Sequence, residues 1–308
     1  MGGMNRRNFL RGSGLAAAGC ALGGRQAPAQ KSGRLTALSS GSFTFAFFTD
    51  VHIEPEMDAP QGTELAMEAI NASDAEFAIC GGDHVFDALK VHKDRILEQY
   101  ELYAEAEKTL RMPVWHVLGN HDVAGLETGM SSHDAIFGKA LFRQVFNTPT
   151  YYSFQHKGVN FIVLDSIMIK GRDWEPAIDI TQAAWLERVL IGTKGTPSIV
   201  ISHVPLATSM ASYGPGSNSK VYEPVLNASY IIPMLEYYDV IALLQGHTHI
   251  SETVHRMGIH YVTGGAVCGN WWKGAQFGDR EGVTFVTVDN GSVTTNYVPT
   301  GFQSTEQS

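Results

Sequence analysis

Six stretches of the chain share one pattern, an apolar run of strand length that stops at a glycine or a polar residue. They are FTFAFFTD (Phe43 to Asp50), FAICGGDH (Phe77 to His84), VWHVLGNHD (Val114 to Asp122), FIVLDS (Phe161 to Ser166), SIVISHVP (Ser198 to Pro205) and IALLQGHTH (Ile241 to His249). Runs that are apolar throughout fit central strands buried on both faces. Between them lie helix-like segments, Thr63 to Ala72, Val91 to Leu110, Thr181 to Ile191 and Ala228 to Tyr237. Strands alternating with helices predict an α/β architecture. From Ser251 onwards the pattern changes to short β-like segments with tight turns at Met257-Gly258 and Asn290-Gly291, which predicts antiparallel strands completing a second sheet. The long segment Leu206 to Tyr222 reads either as a lid or binding loop or as a mobile surface loop.

The last of the six runs ends in two histidines one residue apart, behind a glycine. If the strand continues through them, His247 and His249 project to the same side, because side chains alternate along an extended chain. Paired imidazoles there point to a metal. A turn holding two polar residues is the plain alternative.

The remaining strand ends decide between these readings. They carry Asp50 and His52, Asp83 and His84, Asn120, His121 and Asp122, and His203. Open α/β sheets place their ligand sites beyond the carboxyl ends of the strands, so these residues are expected to converge. Five such endings, all supplying oxygen or imidazole nitrogen, exceed what helix capping requires. Carboxylates, imidazoles and one amide without thiolates suit manganese, iron or zinc. The donors are too many for one closed tetrahedral site, and two adjacent ions account for the number.

Composition narrows the partners. The chain has 308 residues, 44% of them hydrophobic, enough for a substantial core. Its net charge is -9, and removing the first 29 residues, with four arginines and no acid, leaves -13. Long nucleic acid is a poor partner for so acidic a surface. Cys20, Cys80 and Cys268 are too few and too scattered for a disulfide framework or a thiolate zinc site.

The N-terminus reads as an export signal. Asn5-Arg6-Arg7-Asn8-Phe9-Leu10-Arg11, followed by a Gly/Ala/Leu stretch, resembles a twin-arginine signal, so the twin-arginine export machinery is an expected partner and the protein is expected to be exported, periplasmic or extracellular. The apolar part is too short to span a bilayer, so no transmembrane helix is expected in the mature protein. Cleavage is expected near Ala29. Ala17-Ala18-Gly19-Cys20 offers the alternative of a lipid anchor on Cys20.

D-x-H, GD, GNHD, a strand-end histidine and GHTH, in this order from Phe43 to His249, resemble the calcineurin-like metallophosphoesterase superfamily. The resemblance implies a four-layer α/β/β/α sandwich of two mixed sheets flanked by helices. It also implies a leader at 1–29, a linker at 30–42, one catalytic domain at 43–300 and a tail at 301–308. On the matching positions it implies that Asp50, His52 and His249 bind a first divalent ion, that Asp83 bridges, and that Asn120, His203 and His247 bind a second. His121 matches the family's active-site histidine. The implied reaction is hydrolysis of small phosphate mono- or diesters by a hydroxide held between the two ions, with His121 protonating the leaving alkoxide or hydrogen-bonding a phosphoryl oxygen.

Departures from the family sharpen the reading. Three positions after Asp83, some relatives carry a carboxylate that orients the active-site histidine, and purple acid phosphatases carry a tyrosine ligand; this chain has Phe86. Asp87 or Asp122 are the candidates to orient His121, and His84 is a candidate for supporting the ligands or touching substrate. Trp271 and Trp272, within a segment similar to one seen in some exported multi-domain members, read as one wall of the substrate cleft, with core packing an equal explanation for at least one of them. A nuclease of the same chemistry and a metal-holding binding protein without turnover remain as alternatives.

Overall fold

The computed structural model describes residues 41–213 and 220–305. The expected leader with Cys20, its cleavage positions, nearly all of the linker and residues 214–219 of the long loop lie outside the described residues. In chain order the elements begin with β1 (Phe43–Phe48), α1 (Ala59–Asn71), β2 (Ala78–Cys80), α2 (Lys93–Glu107), β3 (Val114–His116), α3 (Ala140–Val145) and β4 (Tyr152–His156). The middle of the chain forms β5 (Val159–Leu164), β6 (Ile167–Lys170), β7 (Asp173–Pro176), α4 (Ile180–Gly192), β8 (Ser198–Ser202), α5 (Ala228–Tyr237) and β9 (Val240–Gln245). Four strands close it, β10 (Ser251–Arg256), β11 (Ile259–Gly264), β12 (Gly282–Asp289) and β13 (Ser292–Pro299).

The strands build two large mixed sheets, one in the order β13-β12-β1-β2-β3 and one in the order β10-β11-β9-β8-β5-β4; β6 and β7 form a separate hairpin. β1, β2 and β3 are parallel, as are β5, β8, β9 and β11. Period-two alternation assigns each strand residue to a layer. Phe43, Phe45 and Phe47 of β1 meet Phe161, Val163, Ile199, Ile201 and Leu244 between the sheets. Ala46 and Phe48, on the opposite face of β1, pack under α1 and α2 against Ala66, Met67, Ile70 and Tyr103. On the far side, Ile162, Leu164, Val200 and Leu243 pack beneath α4 and α5 against Leu186, Leu190, Ile231 and Leu235. The result is the four-layer sandwich, helix, sheet, sheet, helix. Each fully buried phenylalanine of the central layer contributes about 2–3 kcal/mol.

The helices follow from their own periodicity. α4 buries Ala183, Leu186 and Leu190 and starts at Asp179, whose carboxylate accepts the N–H groups of Thr181 and Gln182. α5 buries Ala228, Ile231 and Leu235 with the same spacing.

Three expectations are corrected, and four elements go beyond the sequence reading. The tail does not complete only a second sheet: β10 and β11 extend the six-stranded sheet, with β11 parallel to β9, whereas β12 and β13 extend the five-stranded sheet beside β1. β3 is an edge strand with only His116 fully covered, so it is not buried on both faces. The strand of the GHTH run stops at Gln245, so alternation does not aim His247 and His249. Both lie beyond it at positive φ, 72° and 57°. Finally, α3, β4, β6 and β7 were not predicted: each is short and mixes buried or half-buried with exposed positions.

Candidate metal centre

The carboxyl ends of both parallel strand groups meet at one place. Asp50 and His52 follow β1, Asp83 follows β2, Asn120 follows β3, His203 follows β8, and His247 and His249 follow β9; all seven are buried. Five of them, Asp50, His52, Asp83, His247 and His249, have φ between 46° and 72°. Asp and His tolerate this left-handed region better than branched residues, and such conformations persist only where the surroundings enforce them. Left-handed kinks, rather than strand alternation, turn these side chains inward.

Gly246 is required by a close approach. A Cβ there would lie 2.2 Å from Thr49 Oγ1 and 2.6 Å from Asp50 Oδ2. The bare backbone instead lets the His247 N–H donate to both carboxylate oxygens of Asp50, at 3.0 and 2.9 Å, while the Thr49 hydroxyl donates to Oδ2 at 2.7 Å. The glycine behind the paired histidines seats the second sheet's loop on the first sheet's acid.

Asp83 occupies the middle. Its Oδ2 lies 3.5 Å from His52 Nε2 and 3.1 Å from His203 Nε2, and its Oδ1 accepts the His121 N–H at 2.7 Å. On one side, His249 Nε2 is 3.2 Å from His52 Nε2 and 3.5 Å from Asp50 Oδ1. On the other, Asn120 Oδ1 is 3.3 Å from His203 Nε2, and the His247 ring lies 5.2 Å from the His203 ring. Donor atoms of Asp83, His203 and His247, and those of Asp50, His52 and Asp83, fall within 4.8 Å of one another.

Backbone carbonyls orient the imidazoles. His203 Nδ1 faces Gly81 O at 2.9 Å, His249 Nδ1 faces Gly269 O at 2.8 Å, and His247 Nε2 faces Lys220 O at 3.2 Å. A carbonyl only accepts, so these nitrogens carry protons, and the opposite nitrogens present lone pairs whenever the rings are neutral. His203 Nε2 faces two oxygen acceptors and the Nε2 atoms of His52 and His249 face each other, so each of these contacts needs a proton or a cation between its atoms. Such a set could hold metal ions, and carbonyl partners behind the histidines match the usual surroundings of a metal site.

The titration behaviour agrees. Burial opposes a charge on His203, but Asp83 and Asp50 outweigh it and push its pKa up to about 9. Burial also opposes ionisation of Asp50, yet His249 and His203 hold it at about 2. Asp83 is likewise held well below the carboxylate range, against its burial, by His203 and His121. Burial and the neighbouring His203 lower His247 to about 4. Without a metal, the two carboxylates draw protons onto neighbouring imidazoles; metal ions compete for the same nitrogens.

The remaining sequence candidates separate by geometry. His121 is partly exposed, and its Nδ1, 3.9 Å from Asp87 Oδ1, has no hydrogen-bond partner among the described residues. Asp122 is turned elsewhere: it accepts from the N–H groups of Asp83, His84 and Gly119 and pairs with His84 Nδ1 at 2.9 Å. It ties the β2 and β3 loops together, so of the two candidates for orienting His121 only Asp87 stands near the ring. His84 is fully buried among Tyr103, Phe142, Phe146 and His116, out of reach of a substrate. Trp272 is also buried, whereas Trp271 is partly exposed and lines a cavity of about 340 Å³ with Asp83, Asn120, His121, His247 and His249.

Sequence reasoning missed part of the surroundings. Leu89, Lys90, Glu127, Trp174, Lys220 and Gln276 also line the cavity. Lys220 belongs to the long loop already singled out, but no pattern marked the others. Cys268 Sγ lies 3.6 Å from His249 Nδ1, at the ring edge opposite the donor nitrogen, and burial raises its pKa so that it stays a thiol.

The family described as calcineurin-like phosphoesterase matches residues 43–251, and the twin-arginine translocation signal sequence matches residues 3–23. No curated protein matches the chain by sequence. Among solved structures, a dimetal phosphatase from Danio rerio is 14% identical with a TM-score of 0.60, covering 82% of this chain and 98% of its own. A purple acid phosphatase from yellow lupin is 13% identical with a TM-score of 0.58, covering 88% of this chain; this chain spans about half (54%) of that longer protein. A third, described as the anchor in the inner membrane complex of Plasmodium, is 19% identical with a TM-score of 0.54 and covers 85% of each chain. No helix of the described residues is long and apolar enough to cross a membrane. The matched span contains every strand end that gathers at the acid and imidazole cluster, and the chain belongs to the calcineurin-like phosphoesterase family, metal-dependent phosphoester hydrolases, with a twin-arginine signal for export across the membrane.

Proposed function

We propose that the protein hydrolyses small phosphate monoesters or diesters at a centre of two divalent ions. The observation that carries this reading is the Asp83 carboxylate standing between His52 Nε2 and His203 Nε2, with further donors on both flanks. Asp50, His52 and His249 would hold one ion, Asn120, His203 and His247 the other, with Asp83 shared. The oxygen and nitrogen donor set suits manganese, iron or zinc. When bound, such a pair supplies Lewis acidity toward phosphoryl oxygens and makes water a nucleophile at neutral pH.

The chain's own residues do the rest. His121, beside the cluster and open to the cavity, is placed to hydrogen-bond a phosphoryl oxygen or to protonate the leaving alkoxide, and Asp87 faces its Nδ1. Phe86 leaves no tyrosine to ligate at the position three after Asp83. The Asp122–His84 pair anchors the backbone that carries Asp83, Asn120 and His121. A cavity of about 340 Å³ fits a small ester, and the acidic chain disfavours a nuclease. Export as a folded protein would allow metals to be loaded inside the cell, before release to the periplasm or the exterior, free or tethered through Cys20.

A binding protein without turnover is the second reading, favoured by one neighbour's description as an anchor. His121 and an open cavity over the cluster support catalysis instead. The two separate in one assay, manganese-loaded protein with chromogenic mono- and diesters. Hydrolysis that disappears on chelation is expected; intact esters at full metal content would favour the binding module.

A further inference from the structure

Trp271 and Trp272 are consecutive, bulky and both left-handed, with φ of 54° and 64°. Aromatic residues rarely adopt this region, and the conformation persists only when something holds it. Trp272 supplies the hold. It is fully buried, donates its indole N–H to His52 O at 2.9 Å, meets Phe302 at 5.1 Å between ring centroids, and fits beside Gly62, where a Cβ would lie 2.1 Å from its ring. Its backbone is fixed as well, N–H to Cys268 O at 2.7 Å and carbonyl to the Ser304 hydroxyl at 2.7 Å.

Trp271 has no such core role. Its ring is part-exposed, with centroids 4.1 Å from His52, 5.1 Å from His121 and 5.2 Å from both His249 and Phe86. The other indole of the cavity, Trp174, is only 5% exposed, with the Lys220 ammonium 5.0 Å from its ring centroid, so less of it is open to a ligand than of Trp271. Trp271 is therefore the indole of this cavity placed to receive a ligand beside the candidate ion sites.

We infer that Trp271 is a stacking platform, and that the substrates are phosphoesters whose alcohol carries a flat ring, aryl or nucleoside in type, seated on the indole while the phosphoryl group lies at the acid and imidazole cluster. This rests on the function proposed above and names its substrate class. Stacking of one ring on an aromatic side chain corresponds to about 5- to 150-fold in affinity.

The test compares two ligands that differ only in the ring, the methylene phosphonate analogues of adenosine 5′-phosphate and ribose 5-phosphate, whose P–C bond resists hydrolysis. Binding to manganese-loaded protein is measured by calorimetry, with metal content determined for each preparation. The wild type is expected to prefer the adenine-bearing analogue by about 5- to 150-fold. Trp271→Ala should reduce that preference to within about twofold and leave the ring-free analogue nearly unchanged, whereas Trp271→Phe should keep most of it. No preference in the wild type, a preference surviving in Trp271→Ala, an equal loss for both analogues, or no binding of either would overturn the inference. A wild type that hydrolyses no ester would refute the proposed function yet leave this comparison readable.

Discussion

The layer between the sheets and the cluster at their carboxyl ends are made by the same strands under opposite rules. Between the sheets, Phe45, Phe77, Phe154 and Phe161 pack ring on ring, with Phe45 and Phe77 stacked at 4.9 Å and Phe154 and Phe161 at 4.9 Å. One step beyond the strand ends, the backbone turns left-handed at Asp50, His52, Asp83, His247 and His249, and what is buried is charge. The first region gains stability by removing apolar surface from water. The second buries ionic groups, which are expensive unless paired, and here the carboxylates are met by imidazoles and N–H donors. The difference teaches that the sandwich serves as the rigid frame that holds the donors together in strained backbone conformations.

That division can be broken from either side. The largest effect is expected from Asp83→Asn, which keeps the shape but removes the shared charge: activity should fall by at least about 10⁴-fold with loss of bound metal, while circular dichroism stays unchanged. Phe161→Ala should do the reverse. Denaturant unfolding should show a loss of about 3–5 kcal/mol, with the specific activity of the folded fraction retained. His121→Ala separates proton chemistry from ion binding, lowering kcat by about 10²- to 10⁴-fold at full metal content by elemental analysis. Asp87→Asn, acting through His121, should cost less, about tenfold.

The smallest expected effect is a pH dependence that is strongest in the metal-free protein. His203 is raised from 6.5 to about 9, so its contribution to stability is complete below pH 6.5 and is lost as pH rises through about 9. Asp50 is lowered from 3.8 to about 2, so its contribution is present above pH 3.8 and is lost as pH falls through about 2. The thermal midpoint of metal-free protein should therefore drop between pH 6.5 and 9, and manganese should shrink that drop by displacing the His203 proton. An equal drop with and without metal would detach these imidazoles from ion binding.

Much of the cluster was legible because its residue types are rare at the ends of apolar runs, and because strand ends in an open sheet converge whatever their separation along the chain. Every donor stands after a strand that the apolar pattern marked. The aiming was not legible. Alternation would have pointed His247 and His249 by continuing β9, but the strand stops at Gln245 and the backbone conformation does the pointing. Asp87 and Asp122 had equal standing on spacing; only contacts between residues 38 and 39 positions apart show Asp122 committed to the β2 loop. Adjacent identical tryptophans parted in the same way, Trp272 to the core and Trp271 to the cavity. The hairpin of β6 and β7, IMIK and DWEP, escaped because charged ends and half-buried faces carry no clear period.

The most direct measurement is a crystal structure of manganese-loaded protein with anomalous scattering recorded at the metal edge. Two peaks about 3.5–4 Å apart are predicted, with the Asp83 carboxylate between them, Asp50, His52 and His249 around one and Asn120, His203 and His247 around the other. A single peak, or peaks away from Asp83 in an active preparation, would contradict the account.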